Sequence, residues 1–464
     1  MSAGASAGGG RRTLAPSDLA LAAAGCALLV LYFVARRFIT TEAAAVSTFV
    51  NLALLQCALY AFAAFVVYRA RASRATVIIV LAFAAAFRLA LVFEPPRLSD
   101  DIYRYVWDGR VQAAGVNPYR YVPADDALKS LRDAAVYEHV NRRDSAPTIY
   151  PPLAQAIFYA ATRASESVVW MKLVMVSFEA AGLWAVARLL ASFGLPRRRV
   201  LLAAWHPLLV WEIAGSGHLD AALICFVCLA LLARRRGRDA LAGFLLACAA
   251  LTKLFPVVLA PALYRRRDWR MPAAFAATFV AGYLPYLSVG LRRVAGYLPG
   301  YAAEEGLQSG ARFYALALAR RLTGQTIPAA AYVLFAAAVL AAVATRTLRR
   351  RADSGVSFVA DALALATAFT ALLAPHYSWY FVWLVPLLVF APRASAATVV
   401  PALYLTAASF VLYLTWLGDQ PDRMLFLNSI IYLPFAELCV ATRLARRAKL
   451  DGANCVRPAG SFVD

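Results

Sequence analysis

The chain has 464 residues, 62% of them hydrophobic and 16% charged, with a mean hydropathy of +0.63. Soluble domains are nearer half apolar and a quarter charged, so this composition excludes a string of soluble domains and implies a membrane protein. The formal net charge of +21 does not argue for nucleic acid. Most of the surplus arginine stands in short clusters between apolar runs, as in the cytoplasmic loops of multi-span proteins.

The tail 1–16 carries Arg11 and Arg12, and the run 17–35 ends in Arg36 and Arg37 without a small-residue cleavage site. It is expected to be a retained span rather than a signal peptide. With the arginine clusters placed inside, 17–35 runs outward, 47–67 returns to Arg69, Arg71 and Arg74, and 75–93 runs outward again. The polar segment 94–150 then lies outside, where Ser99-Asp100-Asp101 before Ile102 signals a helix start. The stretch 151–191 crosses once, with 151–165 as an interfacial helix.

Spans 200–215 and 218–233 form a hairpin around Gly215-Ser-Gly-His218-Leu-Asp220. Basic clusters on both sides of 240–264 require an even number of crossings there, so two short helices are expected, with their tip at Thr252–Pro256. Further on, 272–290 runs outward, 291–326 is a second outer loop, and 327–345 returns to Arg346–Arg351. The spans 357–375 and 381–391 flank a tight outer turn at His376–Tyr380. Spans 397–417 and 424–441 lead to a basic tail, 442–464. The expected fold is all-α and polytopic, one transmembrane domain over 17–441 between cytoplasmic tails, with roughly 11–14 transmembrane or re-entrant helices. Cys225-x-x-Cys228 lies within an apolar run and is expected to pack rather than bind metal.

Polar residues near span ends collect on the outer side. Asp100 and Asp101 suit general-base catalysis or a divalent cation, or else they cap the following helix. His218 and Asp220 share a glycine-flanked turn, which suits either support of a reacting group or the turn itself. Lys253 at membrane depth requires an anionic partner, either a ligand or a carboxylate such as Glu179 or Glu212. Arg312 suits a phosphate clamp or a solvated loop. His376 suits proton relay or interfacial anchoring, and its neighbours Tyr377, Trp379, Tyr380 and Trp383 read as an aromatic belt.

Several of these residues lie in motifs spread along the chain: Ser99-Asp-Asp-Ile-Tyr-Arg-Tyr-Val-Trp-Asp-Gly-Arg110, Gly115-Val-Asn-Pro-Tyr119, Tyr150-Pro-Pro152, Gly217-His-Leu-Asp220, Lys253 and Pro375-His-Tyr377. With them the chain resembles the GT-C superfamily of polyprenyl-phosphate-sugar-dependent glycosyltransferases, and within it the mannosyltransferase-like glycosyltransferase family 87. The resemblance implies a multi-helix membrane fold with a catalytic acid in the first outer loop. It further implies hexosyl transfer, with mannose the expected sugar, from a polyprenyl-phosphate donor to a lipid or glycan acceptor, with inversion. In that frame Asp101 is the expected base, with Asp100 the alternative. Lys253, Arg312, Arg104 and His376 are expected at the donor phosphate, and His218, Asp220 and Tyr150 at the acceptor or in support. No cofactor is required by such chemistry, a divalent cation stays open, and the expected location is the inner (plasma) membrane with an extracytoplasmic site. The competing expectation is a multi-span transporter or lipid-carrier flippase.

Overall fold

The computed structural model describes residues 15–40, 42–69, 73–295, 300, 303–308, 310, 312–349, 356–375, 377–390, 396–418 and 420–455. All regular structure among them is helical. Seven helical segments are long and apolar enough to cross a membrane: Pro16–Phe38, Ala43–Arg69, Arg74–Val92, Val168–Ser192, Arg270–Val289, Ala329–Arg349 and Pro421–Thr442. Four shorter apolar stretches accompany them, Asp239–Ala250, Ser357–Leu373, Ser378–Leu388 and Leu403–Thr415. The protein is an all-α polytopic membrane protein.

The first three helices are α1 (Pro16–Ala35), α2 (Ala43–Arg69) and α3 (Arg74–Val92). α1 and α3 are fastened at both ends. At one, Asp18 accepts from the Thr76 hydroxyl at 2.5 Å and the Ser73 hydroxyl at 3.1 Å, while Ser73 caps α3 by accepting from the Thr76 N–H at 2.9 Å. At the other, Arg36 pairs with Glu94 at 2.5 Å. α4 (Asp101–Ala113) and α5 (Pro152–Ala164) flank the long polar loop and pack together. A Cβ at Gly109 would meet the Phe158 carbonyl at 2.6 Å, so glycine sets how closely these two helices approach.

α6 (Val168–Ser192) packs on the Asp220–Arg235 helix, which packs on Asp239–Ala250, which in turn packs on Arg270–Tyr283. The last contact is close because Gly243 has no side chain: a Cβ there would lie 2.1 Å from the Met271 carbonyl oxygen. Inside the bundle Arg88 of α3 donates to Glu179 of α6 at 2.5 and 3.1 Å and to the Ala204 carbonyl at 2.5 Å, so neither charge is left alone in an apolar core.

Two expectations need correction. Residues 200–215 are not one continuous span. They break into Leu201–Ala204, Pro207–Val210 and a wider turn at Trp211–Gly215. Pro207 has no N–H to donate and forces His206 into an extended conformation (φ −63°, ψ 118°), which ends the first turn. The last helix, Pro421–Cys455, also runs on past residue 441 into the basic segment. A separate helix before α6, Pro152–Ala164, and two short helical stretches on either side of Thr252 form as expected.

Candidate functional site

α4 is fixed before its chemistry begins. Ile102, Tyr105, Val106 and Trp107 are buried, and the Tyr105 ring stacks on Phe158 of α5 at 4.5 Å and 7°. This leaves the first turn of α4 at the wall of a cavity of about 950 Å³. Asp100 stands at the N-cap position, yet its side chain makes no capping hydrogen bond. Instead the Asn141 amide donates to Asp100 at 3.0 Å and to Asp101 at 2.7 Å. Burial pushes the Asp100 carboxyl above its usual range, and the neighbouring Asp101 charge adds to this.

Arg104 holds this arrangement from behind. Its guanidinium donates to Asp108 one turn along at 2.9 Å, to the Asn141 carbonyl at 3.3 Å and to the Ala146 carbonyl at 3.1 Å. It is buried and does not line the cavity. The expectation that it meets a donor phosphate is therefore replaced by a positioning role: it fixes the backbone at Asn141, whose side chain holds both carboxylates.

The other side of Asp101 faces His218. Gly217 adopts φ +79°, and a Cβ there would press on Ile102 at 2.3 Å, so only glycine lets the turn come this close to α4. The Leu219 N–H donates to the Tyr105 hydroxyl at 3.3 Å and fastens the turn. His218 is buried, with Nδ1 3.8 Å from Asp101 and Nε2 3.4 Å from Glu212, and its ring stacks on Trp379 at 4.8 Å. Glu212 in turn accepts from the Tyr413 hydroxyl.

Lys253 sits where the Asp239–Ala250 helix ends, and the Leu251 carbonyl beside it accepts from the Leu153 and Ala154 N–H groups at 2.9 and 3.1 Å. These two amides open α5 and have no partner within their own helix. The contact brings Lys253 next to Tyr150 and Pro151 on the cavity wall. Its Nζ pairs with Asp220 at 2.6 Å and lies 5.4 Å from the Tyr380 ring centre. The partner is thus Asp220, not Glu179 or Glu212. Lys253→Met is expected to cost about 1–3 kcal/mol by leaving Asp220 buried and unpaired, and adding Asp220→Asn should recover most of it. Thermal unfolding in detergent checks this; equal midpoints for all three proteins would refute the pair's contribution.

Arg312 pairs with Glu305 at 2.8 Å and covers the Tyr377 ring at 4.8 Å. Glu305 also reaches Arg142 at 3.3 Å, and Arg142 pairs with Glu304 at 2.6 Å, so the two polar loops are tied together at the cavity. Tyr150 lines the cavity beside Asp101 and Lys253. His376 lies outside the described residues. Among those described, no three His, Cys, Asp or Glu side chains group so as to hold a metal ion.

Three contributors were not singled out from the sequence, Asn141, Arg142 and Arg97, and two were read in other roles, Glu212 as a counter-ion for Lys253 and Trp379 as an interfacial aromatic. Arg97 is exposed at the cavity and has no carboxylate partner among the described residues. Trp379 reads as an interfacial aromatic but forms the stacking floor beneath His218. The lining also includes apolar and aromatic side chains, Phe255, Val257, Phe369, Leu373, Tyr377 and Tyr380, with Lys253 and Arg312 lying against the last two rings. The cavity thus combines charged groups with a largely hydrocarbon-like lining.

Residues 16–265, just over half the chain, match the model of the MptA_B family, described as alpha-(1->6)-mannopyranosyltransferase, N-terminal domain. No curated protein matches the chain. No solved structure matches it either. The matched segment contains Asp100, Asp101, Asn141, Tyr150, His218, Asp220 and Lys253. The match agrees with the mannosyltransferase-like resemblance and favours a glycosyltransferase over a transporter.

Proposed function

The chain belongs to this alpha-(1->6)-mannopyranosyltransferase family, and we propose that it transfers mannose from a polyprenyl-phosphate carrier to a glycan or lipid-linked acceptor, with inversion. The observation that carries the reading is the cavity itself, which holds a clamped carboxylate and several cations within an otherwise aromatic and aliphatic lining. A polyprenyl chain suits the apolar side chains, and a sugar phosphate suits the charged ones.

In this mechanism Asp101 takes the proton of an acceptor hydroxyl while that oxygen forms a bond to the anomeric carbon. The bond from that carbon to the phosphate oxygen breaks on the opposite face, and polyprenyl phosphate leaves with the electron pair. Asp101 ends the step protonated. An α-(1->6) product made with inversion calls for a β-linked donor. Proximity of the two substrates and the positioned base supply the catalysis, and the cations near the cavity, Arg97, Arg142, Lys253 and Arg312, neutralise the leaving phosphate. Asp220 beside Lys253 and Glu305 beside Arg142 and Arg312 keep those cations in place before the donor arrives.

The alternation of arginine clusters supports a multi-pass protein of the inner (plasma) membrane, with both tails cytoplasmic and this cavity on the extracytoplasmic side. The test supplies membranes containing the protein with radiolabelled polyprenyl-phosphate mannose or with a nucleotide-linked mannose. Product from the first donor alone is expected. Product from the nucleotide donor alone would overturn the carrier.

A further inference from the structure

Two further hollows adjoin the cavity in succession. The first, about 450 Å³, shares Asp100 and Arg142 with it. The second, about 630 Å³, shares Glu138, Arg143 and Asp144 with the first. Together they make a groove along the polar loop between α4 and α5, starting at the residue next to Asp101 and leading away from it.

Its lining contrasts with the apolar side chains of the cavity. Carboxylates and guanidinium groups dominate, with Tyr137 and His139 between them. Glu138 is exposed and makes no hydrogen bond or ion pair with the described residues. Asp144 has 79% of its side chain exposed and only a 3.7 Å contact to Arg143. The rings are held firmly: His139 stacks on Tyr103 at 4.6 Å, and Tyr137 lies under Arg132 and Arg143 at 5.0 and 5.6 Å. The groove also rests on a braced loop, since Arg110 bonds Asp133, Glu166 and the Leu131 carbonyl.

Carboxylates and guanidinium groups that keep unused hydrogen-bonding capacity suit vicinal hydroxyls, and the exposed His139 ring, backed by Tyr103, suits a pyranose face. A lipid chain has no use for such a surface. Resting on the transferase reading above, we propose that the groove binds the acceptor glycan, seating the sugars that lie beyond the one whose hydroxyl reaches Asp101. The acceptor is then an oligosaccharide, longer than a single hexose, that approaches from the loop side while the lipid-linked donor occupies the apolar side.

The experiment compares a methyl mannoside with a linear trimannoside as acceptors, in membranes supplied with labelled polyprenyl-phosphate mannose, for the wild type and a Glu138→Ala, Arg143→Ala double variant. Both positions are at the surface and outside the reacting pair. The trimannoside is expected to have the lower KM in the wild type. The double variant should raise that KM by about 2- to 10-fold, the effect of one or two lost hydrogen bonds, and leave kcat and the methyl mannoside KM unchanged. Calorimetric titration of purified protein with trimannoside, donor absent, reads the groove without turnover. Binding weakened in the variant supports the groove even where no donor is turned over, an outcome that removes only the transferase reading. Unchanged KM and unchanged titration in the variant overturn the groove and leave that reading intact.

Discussion

Asp101→Asn is expected to lower mannosyl transfer by about 10²- to 10⁴-fold, the range that a positioned general base contributes. The substitution keeps the shape of the side chain and an oxygen that still accepts from Asn141, the contact that holds Asp101 at 2.7 Å. It removes only the capacity to take a proton. Asp100→Asn keeps the same clamp on its neighbour and should retain activity within about tenfold, a change of about 1.4 kcal/mol. Transfer assays at matched protein level, with folding checked by detergent-stable elution, separate the two. Full activity in Asp101→Asn would dismiss it as the base, and a collapse confined to Asp100→Asn would hand the role to that residue.

The largest stability effect is expected at Arg88. Arg88→Met strands Glu179, which is 1% exposed, and leaves the Ala204 carbonyl without its donor. Removing one partner of a buried pair costs about 3–5 kcal/mol, because the remaining charge has neither water nor counter-ion. The variant should show a markedly lower unfolding midpoint in detergent. Arg88→Met with Glu179→Gln should recover a large part of the loss, since no full charge is then buried. A single variant as stable as the wild type would refute the pair's contribution.

Hydropathy and arginine placement made α1, α2, α3 and α6 readable, because a span is a local property of about twenty consecutive residues. The two short stretches around Thr252 were readable for a related reason: equal basic clusters on both sides demand an even number of crossings. The break at 205–207 carries a local signal, Pro207, that the hydropathy of residues 200–215 conceals.

Contacts across the chain leave no such trace. Asn141 reaches Asp101 from 40 positions away and Trp379 reaches His218 from further still, and neither stands in a pattern that marks it. Lys253 had a legible need for a counter-ion, but the choice of Asp220 depends on how two helices pack. Arg104 did have a readable alternative. Asp108 stands one helical turn along, at the spacing where opposite charges pair, and that spacing points to a structural role.

The way the cavity is assembled bears on how such an enzyme is re-engineered. The clamped carboxylate, the stacked histidine and the paired lysine all come from the segment 16–265, whereas Phe369, Leu373, Tyr377, Trp379 and Tyr380 come from the remainder of the chain. The base and its clamp are therefore written in the first stretch, while the apolar lining draws on both, with Phe255 and Val257 from the first, and Arg312 joins the cations from the second. A chimera that keeps 1–265 and borrows the rest from a relative is expected to accept a different carrier length while its proton transfer stays as it is.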